Sequence, residues 1–212
     1  VHEMDICLWG VGRGGWPISV GSMGGKYVWK DDQETPNTQQ STFNFGDAQV
    51  TFDVRNLPTA PEGLAPMVDR SFVGNIFYGE YGMMTVVPEG FQVYQSTLKG
   101  AKLDPAGAPN SNRGEKFEKI MDEKAVEEDE EATLPHMKNF LNAIRTRNYQ
   151  DLHADIALGV RAASFCHLAN ISYRTGRTLS LSQSTGKFTD AADANALYSR
   201  DYRAPYVVPA AV

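Results

Sequence analysis

Cysteine and histidine are scarce in this chain of 212 residues, which holds only Cys7 and Cys166, and His2, His136, His153 and His167. None falls in a CxxC or HxxxH spacing. Structural zinc sites draw on such clustered ligands, so the pattern argues against a zinc module. Both cysteines lie in apolar, helix-like stretches and read as buried thiols rather than as a disulfide or a reactive pair. No apolar run approaches the ~20 residues that a membrane-spanning helix needs. Positive charge is not in surplus either: 20 Lys and Arg against 26 Asp and Glu leave a net charge of −6. That balance argues against nucleic acid or an anionic membrane as partner. Neither an initiator Met nor a secretory signal opens the chain. We therefore expect a fragment of a longer protein that begins near the edge of an active site. Its compartment, cytoplasmic or periplasmic, stays open.

What remains suits one globular domain over residues 1–212, since domains run to roughly 50–250 residues and 42% of the chain is hydrophobic. The first residues read as a helix that stops at the glycines from Gly10 to Gly15. Period-two alternation then runs from about Val20 to Gln95. Lys26–Lys30 reads as a short strand. Thr42–Phe45 and Val50–Arg55 form a hairpin around Gly46–Ala48, with Phe43 and Phe45 on one face and Val50, Phe52 and Val54 on another. Phe72–Tyr78 and Met83–Val87 flank Gly79–Gly82 as a second hairpin, and Phe91–Tyr94 follows Gly90. Pro58–Pro66 resembles a linker. Lys99 to about Ala132 reads as a surface loop followed by a charged stretch, with Glu127–Glu131 on a solvated helix face or loop. A helix follows Thr133, with Pro135 in its first turn and Phe140, Leu141 and Ile144 as its apolar stripe. A second runs from about Leu152 to Arg174, burying Ile156, Val160, Ala163, His167 and Ile171, and Gly176 ends it. Ala191–Tyr198 is a short last helix. Strands first and helices later predict an α+β fold: a mainly antiparallel open sheet with helices on one face.

The segment GVGRGG (Gly10–Gly15) matches the letter of a dinucleotide fingerprint, with Asp31 and Asp32 about 20 residues on. Such a loop needs a strand before it and a helix after it. Here a helix precedes it, and Trp16, Pro17, Gly21, Gly24 and Gly25 follow, which cannot hold a helix. A helix-to-strand turn is the better reading.

The chemistry-bearing pair is His2 and Asp5. Three residues apart, they share one helix face, and an imidazole beside a carboxylate can take a proton from a hydroxyl near neutral pH. Met4, Ile6, Leu8 and Trp9 are left to anchor that helix. Of the other histidines, His167 reads as a packed core residue, His136 as structural and His153 as surface or capping. Trp9, Trp16 and Trp29 read as core, although an aromatic at the mouth of a pocket could stack on a sugar ring.

HEMDICLW (His2–Trp9) resembles the HxxD(x)3W segment that opens the C-terminal domain of Gfo/Idh/MocA-type oxidoreductases. HMKNFLNAIRTR (His136–Arg147), CHLANISYRTGR (Cys166–Arg177) and YRAPY (Tyr202–Tyr206) are similar to the paired helices and ending of a bacterial subgroup of that family. The resemblance thus covers essentially the whole chain. It implies a substrate-binding and oligomerisation domain of an NAD(P)-dependent sugar or polyol oxidoreductase. His2 falls on the position that accepts the hydroxyl proton, and Asp5 on one that contacts substrate hydroxyls, as an acceptor-only carboxylate suits. The family's E-K-P lysine and nucleotide loop belong to an N-terminal Rossmann domain, and neither occurs in this sequence. No cofactor is therefore expected on this fragment, which alone would lack redox activity, while the parent would bind NAD or NADP. The implied partners are a small sugar or polyol, the Rossmann domain, and further copies of the chain joined through the sheet's open face. Two alternatives stand beside this reading: a domain of an NAD-dependent glycoside-cleaving enzyme of the same family, and a non-catalytic carbohydrate-binding or assembly domain.

Overall fold

A ten-residue helix, α1 (His2–Val11), opens the chain and ends where Gly12 turns left-handed at φ 63° and donates its N–H to the Leu8 carbonyl at 3.2 Å. Glycine takes that conformation without steric cost. The computed structural model describes residues 1–12, 14–57, 73–96, 117–125 and 133–208. These fall into two units, Val1–Thr59 with Gly159–Val212, and Ala60–Leu158.

In the first unit, β1 (Ser19–Gly25), β2 (Thr38–Asn44), β3 (Gln49–Arg55) and the two-residue β8 (Leu179–Ser180) form an antiparallel sheet ordered β3-β2-β1-β8. The expected first hairpin is present. Phe45 donates its N–H to Ala48, and Asn44 Oδ1 accepts from the Gly46 N–H at 2.8 Å. Val20, Phe43 and Val50 lie opposite one another across the three strands, so Phe43 and Val50 share a face rather than dividing between two. That face packs on Met4 and Leu8 of α1 and on Ala162, Phe165 and Leu168 of α3 (Ile156–Thr175). Phe165 is fully buried, its ring 5.8 Å from Trp16, 5.3 Å from Phe43 and 6.0 Å from Phe45. Toward the far end of the same face the apolar residues give way to polar ones. Ser22 and Ser41 hydroxyls meet at 2.8 Å, and Gln39 donates to Ser22 at 2.9 Å. The short α4 (Ala192–Ala196) adds Ala194 to the core.

The second unit holds β4 (Asn75–Gly79), β5 (Gly82–Val87), β6 (Gly90–Ser96) and β7 (Phe117–Lys124), antiparallel in that order, with α2 (Thr133–Thr146). Tight turns at Gly79–Gly82 and Val87–Gly90 pair the first three strands as expected. The α+β class holds, with its strands shared between two sheets.

Several expectations need correction. Lys26–Lys30 is loop, and the strand lies earlier, in glycine-rich Ser19–Gly25. A side chain at Gly24 would sit 2.4 Å from the Thr38 carbonyl oxygen, so close pairing of β1 and β2 needs glycine there. Within the charged stretch, Phe117–Lys124 is a strand, which was not expected from the sequence. Helix α3 turns its core face through nearly half a turn, about 150°, from the predicted one. Ala162, Phe165, Leu168, Ala169 and Ser172 go inward together with Ile171, which is buried as predicted, while Ile156 and Val160 are 77% and 56% exposed and His167 is exposed rather than packed. The rotation follows the largest apolar side chain, Phe165. Gly176 ends α3 as predicted, at φ 66°, with its N–H on the Ser172 and Tyr173 carbonyls. Pro58–Pro66, Glu127–Glu131 and most of Lys99–Ala132 lie outside the described residues.

Candidate functional site

Helix α1 is fixed by its inner face: Met4 is 0% and Leu8 6% exposed, and Cys7 and Val11 pack beside them. Burial holds the Cys7 thiol up to about 11, so it stays protonated at neutral pH. Helical spacing then carries positions 2, 5 and 9 to the opposite side. His2 is exposed, Asp5 half-buried, and Trp9, expected in the core, is 66% exposed. The structure therefore brings His2 and Asp5 to one face of the first turn, with Trp9 one further turn along. Glu3 and Asp5 lie in that first turn, where the helix dipole favours negative charge. The arrangement places an imidazole and a carboxylate side by side on a helix whose other side cannot move without opening the core.

The glycine-rich match sits between a helix and a strand, the reverse of the order a dinucleotide loop needs. Gly10 and Val11 close α1, and Gly14 and Gly15 belong to its connection with β1. The Arg161 guanidinium donates to the Gly15 carbonyl at 3.2 Å. With no helix starting there, amide groups do not converge on a phosphate. Among the described residues no three His, Cys, Asp or Glu side chains gather as metal ligands, and no helix is long and apolar enough to cross a membrane.

One feature of this unit gave no sequence signal. Beyond β1 the chain makes a γ-turn. Val28 takes φ 71°, and the Trp29 N–H donates to the Tyr27 carbonyl at 2.9 Å. Positive φ at a β-branched residue is a genuine outlier, of a kind that costs of order 1–3 kcal/mol. A buried amide and a lysine hold it. Asn37, 3% exposed, accepts the Tyr27 N–H at 3.0 Å and donates to the Tyr27 carbonyl at 2.6 Å. The Lys26 ammonium donates to the Gln33 carbonyl at 3.0 Å and pairs with the Asp31 carboxylate at 2.6 Å. That ammonium, with the Gln33 N–H, holds the Asp31 carboxyl below the usual range. Tyr27, Val28 and Trp29 meanwhile stay 50%, 80% and 43% exposed, so Trp29, like Trp9, is no core residue.

No family profile matches the chain, and no curated protein does either. Solved structures do. The chain is similar to yvaA of Bacillus subtilis, which carries the name oxidoreductase, with a TM-score of 0.52 at 14% identity, over 85% of this chain and 49% of that one. A protein of the same designation from Thermotoga maritima gives 0.51 at 17% identity, over 85% and 45%. Another from Klebsiella pneumoniae gives 0.51 at 12%, over 93% and 51%. At such identities the likeness is one of fold, and the chain spans about half the length of the structures it matches.

Proposed function

We propose that this chain is the substrate-binding part of an NAD(P)-dependent sugar or polyol oxidoreductase of the Gfo/Idh/MocA type. The observation that carries the reading is the pairing of exposed His2 with half-buried Asp5 on a helix pinned by fully buried Met4. The same-fold structures named oxidoreductases support it, as does the resemblance at His2–Trp9. His2, as neutral imidazole, accepts the proton of the reacting hydroxyl, and Asp5 accepts hydrogen bonds from neighbouring hydroxyls and so orients the ring. On this reading the nicotinamide, NAD or NADP, is held by the Rossmann domain that the resemblance implies for the parent.

His2→Ala in the intact parent tests the assignment. Turnover of sugar or polyol should fall about 10²–10⁴-fold, the range for a lost general base. Unchanged turnover removes His2 from the chemistry. Following NADH during the same assay separates net oxidation, which accumulates it, from glycoside cleavage through transient oxidation, which does not. Association through a sheet face belongs to the same proposal. On the face of the first sheet away from its core, Gln40, Thr51, Asp53 and Arg55 are exposed beside Met23, itself 81% exposed. Arg55→Glu should weaken any oligomer seen by light scattering if that face is shared between copies.

A further inference from the structure

The γ-turn at Val28 combines properties that structural loops do not need together. Its backbone is strained, its clamps are built from a buried amide and a lysine, and its tip is apolar and open to solvent. A loop selected only to join β1 to β2 would relax Val28 to negative φ and turn Tyr27 and Trp29 inward. Residues held in disfavoured conformations persist where the surroundings over-determine them, and they cluster at ligand contacts. Here the over-determination is explicit. Asn37 imitates a strand partner for Tyr27, and Asn37 is itself fixed by its N–H on the Gly25 carbonyl at 3.1 Å and by its carbonyl accepting from Asn56 at 2.8 Å. The Tyr27 ring folds back over Gly25, where an added side chain would lie 2.7 Å from it. That leaves Val28 80% and Trp29 43% exposed on a fixed base.

Charge and hydrogen-bonding chemistry narrow the ligand. The aromatic tip is followed by Asp32 and Glu34, both exposed. An aromatic plane presents a π surface to C–H groups, and carboxylates accept from hydroxyls. A ring with an apolar C–H face and a hydroxyl-bearing rim satisfies both. Topology adds a relation to the site already described. His2 stands at the end of α1 remote from the Gly12–Ile18 connection, and the turn stands at the end of β1 remote from that same connection.

We propose that Trp29, presented by the strained Tyr27–Trp29 turn, is a stacking platform for the pyranose or cyclitol ring of the ligand, with Val28 as its apolar shoulder. The choice of ligand class rests on the function proposed above; the preorganised aromatic contact rests on the turn itself. Rigid presentation matters because ordering a loop on binding costs affinity.

The test titrates the full 212-residue chain with glucose, N-acetylglucosamine and myo-inositol by saturation-transfer NMR. At least one should bind. Trp29→Ala should weaken it roughly tenfold, and Trp29→Phe should keep most of the affinity, both with unchanged circular dichroism. Val28→Gly relieves the strain but loosens the turn, so stability should rise while affinity falls a few-fold. This variant decides the matter if Trp29→Ala proves poorly folded. Binding by none of the three probes overturns the proposal, as does equal affinity in the variants. Self-association that Trp29→Ala abolishes, without sugar binding, overturns it in favour of a contact between copies. His2→Ala separates the two readings. Lost turnover with Trp29→Ala still binding normally sinks only the stacking platform. Retained turnover with Trp29→Ala binding weakly sinks only the catalytic assignment.

Discussion

The two units solve the same packing problem to different degrees. In the first, Met4, Val20, Phe43, Phe165 and Leu168 are 0% exposed and form one cluster around the Phe165 ring. In the second, Ala143 is the one buried apolar side chain among the described residues, joined by the polar Thr85 and Ser96. Its helix α2 is clearly two-faced in sequence, yet Leu134, Met137, Phe140, Leu141 and Ile144 are each 43–49% exposed. Backbone hydrogen bonding is comparable, for both units carry four-stranded antiparallel sheets. The difference therefore lies in side-chain burial, which supplies most of the driving force for folding. A sheet can be complete in its ladder while the described residues of its unit bury few apolar side chains.

That contrast can be attacked directly. Hydrogen exchange should show the widest separation: amides of β1, β2 and the inner half of α3 protected by several orders of magnitude more than those of α2. Equal protection would mean that the second unit is stabilised by burial the described residues do not account for. Next, Phe165→Ala should cost about 3–5 kcal/mol in denaturant unfolding, as loss of a large buried ring does. Leu141→Ala, at a side chain 43% exposed, should cost less than about 1 kcal/mol by the same measurement. A large loss there would remove the distinction between the units. The smallest effect concerns pH. With the Cys7 thiol raised to about 11 by burial, the unfolded chain releases that proton first. Stability from this group is full below the unfolded value near 9 and declines as pH climbs toward 11. Cys7→Ser should flatten that part of the profile. At pH 8 Cys7 should also alkylate more slowly in the folded chain than after unfolding, read by mass spectrometry.

How legible this was from residues alone depends on what kind of signal each element carries. Both hairpins could be read because Gly46 and the Gly79–Gly82 turn punctuate clean alternation, and α3 could be ended at Gly176. Strand β1 escaped because its residues, SVGSMGG, offer close backbone approach instead of side-chain pattern. Strand β7, FEKIMDEK, escaped because its charges masked the alternation. Charged side chains are a common device on edge strands. For α3 the period was right and the phase wrong, since aliphatic spacing was followed and the ring of Phe165 decided the outcome. The candidate site divides similarly. His2 and Asp5 were visible through spacing and resemblance. Trp9 was misplaced in the core, although its position seven residues after His2 puts it on that outer face. The turn at Val28 could not be anticipated, because nothing about a valine announces positive φ.

The polar far end of the first sheet's inner face has a consequence for folding fidelity. Val20, Phe43 and Val50 would tolerate β2 sliding by two residues in the direction that sets Phe45 against Val20 and Val50 and Phe43 against Phe52, since each would still meet an apolar neighbour. The serine and glutamine groups would not: displaced by that step, Ser41 would lose the 2.8 Å contact with Ser22 and Gln39 its 2.9 Å bond, stranding polar atoms away from water. The cluster thus works as a key cut into an otherwise forgiving surface. It discriminates between alignments that oil alone would score alike, and in doing so it fixes where Asn37, and with it the aromatic tip, must emerge.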